Sequence, residues 1–124
     1  MRTYVRAKIP GGTYFFTLNL ARRRGNPLLV EQVSSLRSAF ASTARERPFV
    51  MPAIVVLPDH LHCLWRLPPG DSDFPTRWRL IKSRFSRALP ATERCPQSRS
   101  RKSERGVWQR RYWEHVIRDD EDFR

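Results

Sequence analysis

Residues 49–67 read Phe-Val-Met-Pro-Ala-Ile-Val-Val-Leu-Pro-Asp-His-Leu-His-Cys-Leu-Trp-Arg-Leu. Phe49–Leu57 is apolar and rich in β-branched residues, Pro58-Asp59 interrupts it, and His60–Leu67 resumes an apolar run. The pattern predicts two antiparallel strands joined by a tight hairpin. Side chains in a strand alternate faces, so residues i and i+2 project together. Leu61, Cys63 and Trp65 therefore share one face, while His60 and His62 stand side by side on the other. The apolar face has an evident use, packing under helices. Two of the chain's three histidines on the opposite face do not pack a core, and paired imidazole nitrogens suit a divalent metal. For an isolated His-x-His pair the ordinary reading is one exposed and one packed ring; the pattern around this pair favours the metal.

Upstream, Gly11-Gly12 precedes Thr13–Leu20, in which Tyr14, Phe16, Leu18 and Leu20 alternate with Thr13, Phe15, Thr17 and Asn19, a first strand. Arg22-Arg23-Arg24-Gly25-Asn26 is a basic turn, and Asn26 with Pro27 can open a helix. Leu28, Leu29, Val33, Leu36 and Phe40 then recur at helical spacing, predicting one helix over 27–46. Downstream, Pro68-Pro69-Gly70-Asp71 breaks the chain, and a helix follows from about Asp73 with Phe74, Trp78, Ile81, Phe85 and Leu89 on one stripe. Its other face carries Arg77, Arg79, Lys82, Arg84 and Arg87. Residues 90–105 form a polar Ser/Arg-rich loop, expected to order on nucleic acid, and Gly106–Arg118 reads as a fourth strand. The order β-α-β-β-α-β is the ferredoxin-like arrangement of the α+β class: a four-stranded antiparallel sheet with both helices on one face. The opposite face, with His60 and His62 and with Thr17 and Asn19 able to line the same surface, is left open to a ligand.

The 124 residues suffice for one domain over 1–124 with a modest core. No apolar stretch approaches the roughly 18 residues of a membrane span, and no signal-peptide core follows Arg2, Arg6 and Lys8. Cys63 and Cys95 have neither metal-ligand spacing nor a disulfide framework, so a reducing, cytoplasmic setting is expected. Twenty-four Lys and Arg oppose twelve Asp and Glu, a net charge of +12 supplied nearly all by arginine. Guanidinium forks bind phosphate bidentately and stack on bases, so the bias points to nucleic acid. Arg2, Arg6, Lys8, Arg22, Arg23, Arg24, Arg77, Arg101, Lys102, Arg110 and Arg111 are the candidate phosphate contacts, with Arg99 and Arg105 in the same loop cluster. Trp108 and Trp113 are candidates for stacking on unpaired bases, with core packing expected of at least one. A metal on the sheet face of so basic a protein suggests phosphodiester chemistry, which still requires a third ligand and a nucleophile.

Three segments carry a family resemblance: Gly11-Gly12-Thr13-Tyr14-Phe15-Phe16-Thr17, Leu57-Pro58-Asp59-His60-Leu61-His62-Cys63-Leu64-Trp65, and Trp108-Gln109-Arg110-Arg111-Tyr112-Trp113-Glu114-His115. Together they resemble the REP-associated tyrosine transposases, of the HUH superfamily of single-strand transposases, over nearly the whole chain. The resemblance implies the same ferredoxin-like sheet, His60 and His62 as ligands of Mg²⁺ or Mn²⁺, and DNA transposition on single-stranded or hairpin DNA of repetitive extragenic palindromes. It implies cutting and joining through a 5′-phosphotyrosine, in a nucleoid-associated setting.

The family's nucleophilic tyrosine follows the Trp-Glu segment on a later helix, and the chain ends at Arg124 before one appears. Asp119-Asp120-Glu121-Asp122 is itself a helix-start signal with about one turn of chain after it. The expectation is a domain cut at the start of its third helix, monomeric, with no catalytic residue of its own. Tyr4, Tyr14 and Tyr112 are poor substitutes: Tyr14 is expected under the helices, Tyr4 in the basic arm and Tyr112 on the last strand. His115 could be a substitute ligand or a structural or phosphate-contacting residue, and Asp59 is read as a turn residue more than as a partner of His60. The rival reading is a non-catalytic module binding single-stranded nucleic acid on an open sheet; a nuclease activating water would need a further carboxylate with no evident place.

Overall fold

A computed structural model of the chain describes residues 9–90 and 106–117. The elements run β1 (Thr13–Asn19), α1 (Leu28–Glu31), α2 (Val33–Glu46), β2 (Val50–Val56), β3 (His60–Arg66), α3 (Phe74–Ala88) and β4 (Trp113–Ile117). The strands form one antiparallel sheet in the order β2-β3-β1-β4, the ferredoxin-like order expected from the sequence.

Strict alternation on β1 and β3 divides the sheet into two unlike faces. Tyr14, Phe16 and Leu18 from β1 and Leu61, Cys63 and Trp65 from β3 are buried. They meet Leu36, Ala39 and Phe40 of α2 and Phe74, Trp78, Ile81 and Phe85 of α3 in one apolar core. Trp78 is its hub: it stacks on Trp65 with ring centroids 4.3 Å apart and meets Phe16 and Phe40 edge-on. Tyr14 packs under the helices as expected. Its hydroxyl donates to the Ile9 carbonyl at 2.8 Å and accepts from the Ile9 N–H at 2.7 Å; burial, partly opposed by that backbone contact, raises its pKa.

The first helix is interrupted where the sequence predicts it continuous. α1 is a single turn, capped in effect by Asn26, whose Oδ1 accepts from the Leu28 N–H at 3.1 Å. The Leu29 N–H donates to the Pro58 carbonyl at 3.1 Å, tying the turn to the β2–β3 hairpin with Leu28 and Leu29 both buried. Gln32, at φ −110° and ψ 33°, takes up the break before α2.

β4 is shorter than the predicted 106–118. Only a single bridge, Leu20 to Trp108, precedes it. Val107 and Trp108 are neighbours yet both buried, which a regular strand forbids. The carbonyls of Gln109 and Arg110 accept from Lys82 Nζ at 3.1 and 3.5 Å and so face α3 rather than the strand ladder.

Arg77 corrects an expectation. It is 2% exposed, not on a DNA-facing surface. All five guanidinium N–H groups are used. Nη1 and Nη2 grip the Asp71 carboxylate at 3.2 and 2.8 Å, and the remaining donors reach the carbonyls of Arg47 (3.0 Å), Asp73 (3.0 Å) and Pro48 (2.8 Å). The residue fastens the end of α2 and the 68–73 loop to α3. Its neighbour Arg84 bonds Thr43 and Glu46 across the helix pair. Arg77 and Arg84 therefore serve the helix layer, on the opposite side of the sheet from the histidine pair, while Arg79 and Arg87 are exposed.

Candidate metal and nucleic-acid site

The open face is built by the residues that alternate with the core set. On β1 they are Thr13, Phe15, Thr17 and Asn19, and on β3 His60, His62 and Leu64. Antiparallel register places Asn19 opposite His60 and Thr17 opposite His62. The two imidazoles stand with ring centroids 5.0 Å apart and planes near perpendicular.

Each ring is oriented through one nitrogen. His60 Nδ1 lies 2.7 Å from Asp59 Oδ1, and His62 Nδ1 lies 2.9 Å from Thr17 Oγ1. With both Nδ1 atoms engaged, both Nε2 atoms are the nitrogens left to bind an ion, and a carboxylate or hydroxyl behind a ligating histidine is the usual way a protein fixes its tautomer. Asp59 is thus more than a turn residue. The hydrogen bond to His60 foremost, and the Arg23 guanidinium besides, hold its carboxyl below the usual range. Burial, with the nearby His60 charge, lowers the pKa of His62, which favours the neutral imidazole that a metal requires. The pair therefore fits a divalent cation as half of a coordination set. Among the described residues no third His, Cys, Asp or Glu completes it.

His115 does not supply that ligand. Phe15 pairs with Leu64 on one side and His115 on the other, so β1 lies between His115 and β3. Its ring stacks on Trp113 instead, and among the described residues it does not join the pair in a metal-holding group. Nor does either described tyrosine face the pair: Tyr14 is in the core, and Tyr112 packs against Phe16, Phe74 and Trp78 on the helix side.

The basic turn is brought to the histidine end of the sheet. The Leu20 N–H donates to the Asp59 carbonyl at 2.9 Å, and Arg23 Nε approaches Asp59 Oδ2 at 3.4 Å. Arg22, Arg23 and Arg24 are all exposed there. Arg110 and Arg111, also exposed, arrive at the same end, because the Gln109 N–H donates to the Asn19 carbonyl at 3.0 Å. Arg2, Arg6, Lys8, Arg101 and Lys102 lie outside the described residues, as do Tyr4, Cys95, Arg99, Arg105 and the helix start at 119–122.

Pairwise contacts on this face escape sequence reasoning. His62 stacks parallel to Phe15 at 5.7 Å, Phe15 meets Trp113 edge-on at 5.9 Å, and Trp113 stacks parallel to His115 at 5.7 Å. Trp108 is buried, whereas Trp113 is 51% exposed. Glu114 turns inward opposite Phe16, and burial pushes its carboxyl up to about 7. Burial likewise raises the Cys63 thiol, leaving it a packing residue. No described helix is long and apolar enough to cross a membrane.

Known proteins resemble this arrangement closely. The chain is 45% identical over 124 residues to the REP-associated tyrosine transposase of Escherichia coli K12, covering 100% of this chain and 67% of that protein. A Haemophilus influenzae protein named for the same activity is 42% identical over 125 residues, covering 98% and 69%. A solved REP-associated tyrosine transposase bound to a REP hairpin superposes with a TM-score of 0.82 at 45% identity, covering 99% of this chain and 66% of that one. A Deinococcus radiodurans structure at 19% identity and a TM-score of 0.60 shares the fold. The chain spans about two thirds of the length of the relatives at above 40% identity. No protein-family model matches it.

Proposed function

Since the chain belongs to the family of REP-associated tyrosine transposases, we propose that it binds hairpin and single-stranded DNA of the REP type across the open face of its sheet. His60 and His62 would hold Mg²⁺ or Mn²⁺ there. The observation that carries the reading is the pair of adjacent imidazoles, each fixed through Nδ1 by Asp59 or Thr17 so that Nε2 is the nitrogen left for an ion. The solved relative at 45% identity has a REP hairpin as its ligand. A bound divalent cation would polarise the scissile phosphate and offset its developing charge.

The chain's own residues contribute orientation and charge. Asp59 and Thr17 hold the two rings. Arg22, Arg24, Arg110 and Arg111 supply phosphate contacts at the same end of the sheet, and Arg23 divides its charge between Asp59 and the incoming backbone. Cutting and joining through a phosphotyrosine needs a tyrosine oxygen to attack the phosphorus while the 3′ oxygen leaves. Neither Tyr14 nor Tyr112 is placed for this, so cleavage by residues 9–90 and 106–117 alone is not part of the proposal.

The test is a 3′-labelled REP-type hairpin, whose label stays with the strand that a 5′-phosphotyrosine would hold, incubated with Mn²⁺ and the chain, alone and extended along its reading frame. Binding by both, weakened by EDTA and by His62→Ala, with a covalent adduct only in an extended form that adds a tyrosine, supports the reading. Binding indifferent to chelator and to His62→Ala would instead favour a non-catalytic single-strand-binding module. The aromatic side chains on the open face are the observation on that side.

A further inference from the structure

Trp113 is the exception among the chain's four tryptophans. Trp65 and Trp78 are fully buried and Trp108 nearly so, while Trp113 stands half exposed on the ligand face of the sheet. It is held there. His115 stacks against it with planes 6° apart, and Phe15 braces it edge-on at 71°. Phe15 in turn stacks on His62, so a lane of four rings runs from the metal-ligand candidate across β1 to β4.

We propose that Trp113, flanked by Phe15 and His115, is a stacking subsite for one unpaired nucleobase of the strand that crosses the histidine pair. The inference rests on the DNA-binding reading above and adds to it the residue that takes the base. Three observations favour a base over another occupant. The ring is already oriented by its neighbours, so stacking costs little further ordering. Charge is complementary: the net charge is +12, and exposed Arg110 and Arg111 precede Trp113 by three and two residues, placing cations where the base's own phosphates would run. Position also fits. Thr17 pairs with both His62 and Trp113, so the two residues' backbones lie two strand spacings, about 10 Å, apart, near enough for one DNA strand to engage both side chains. Every base has a π-face, so the subsite should tolerate any base and reject only its absence.

The test uses the full chain and three kinds of oligonucleotide: a REP-type hairpin with an unpaired flank, a series of the same hairpin with single abasic sites scanned through the flank, and a blunt hairpin. Trp113→Ala is expected to weaken the flanked hairpin about ten-fold and leave the blunt one unchanged. Trp113→Phe should retain most of the affinity. One abasic position should weaken the parent chain by about the same ten-fold factor and have no further effect in Trp113→Ala. With the unmutated chain, 2-aminopurine at that position should be quenched on binding, which keeps the test independent of how the variants fold. Equal weakening of blunt and flanked hairpins by Trp113→Ala, or additivity at every abasic position, or no quenching anywhere in the flank, overturns the subsite while leaving hairpin binding intact. Failure of the parent chain to bind any of the three overturns the DNA-binding reading itself.

Discussion

Arg77→Ala separates a structural arginine from a DNA-contacting one. The guanidinium is 2% exposed and spends all five donors, two on Asp71 and three on the carbonyls of Arg47, Pro48 and Asp73. Truncation leaves three carbonyls and a carboxylate without their donor, and removes the charge that holds the Asp71 carboxyl low. Breaking one side of a buried pair costs about 3–5 kcal/mol. Asp71 is 32% exposed and recovers part of its hydration, so the lower end, about 3 kcal/mol, is expected. For a domain of this size that is a fall of about 10–15 °C in Tm. Arg77→Lys keeps the charge and loses the fork, and should cost about half as much. Urea and thermal unfolding measure both. In parallel, the salt dependence of hairpin binding should be unchanged in slope by either variant, whereas exposed Arg111→Ala should lower the slope by about one with stability altered by less than about 0.5 kcal/mol. An Arg77→Ala chain that melts within two or three degrees of the parent, by this reckoning about the noise of the assay, and that loses salt slope would refute the clamp.

Glu114 sets a pH dependence of opposite sign to an ordinary salt-bridged carboxylate. Its carboxyl rises from 4.5 to about 7 on folding, so the folded chain binds more protons than the unfolded chain across that window. Stability is then full below pH 4.5 and falls as pH rises to about 7; Glu114→Gln should flatten the fall and stabilise the chain above neutral pH by up to about 3 kcal/mol, read from urea titrations at pH 5 and pH 8. Thr17→Val removes the hydroxyl behind His62 and should weaken Mn²⁺ binding about ten-fold, measured by the loss of the free-ion electron paramagnetic resonance signal; unchanged affinity would deny Thr17 its orienting role. Trp78→Ala opens the core where Trp65, Phe16 and Phe40 converge and should cost about 3–5 kcal/mol, with loss of near-ultraviolet circular dichroism at room temperature as the readout.

What the sequence determined by itself is whatever depends on neighbours along the chain. Period-two alternation is a property of a strand's own backbone, so Thr13–Asn19 and His60–Arg66 announce both faces, the core set, and the histidine pair on the open side. Pro58-Asp59 announces the hairpin, and the element order announces the sheet. The site's supports are different in kind. Thr17 and His62 are 45 residues apart, and only register across two strands makes them touch. Trp113 and Phe15 meet because β1 lies at the centre of the sheet, and the same topology separates His115 from the pair it might have joined. Arg77 reads as one of a row of surface cations until carbonyls 29 and 30 residues away take two of its five donors. Even Asp59, adjacent to His60, shows its role only in the folded turn, where one carboxylate oxygen meets His60 and the other Arg23. A periodic pattern specifies which way a side chain points; the partner it meets is decided by packing between segments distant in sequence, and that is where tertiary structure alone has the information.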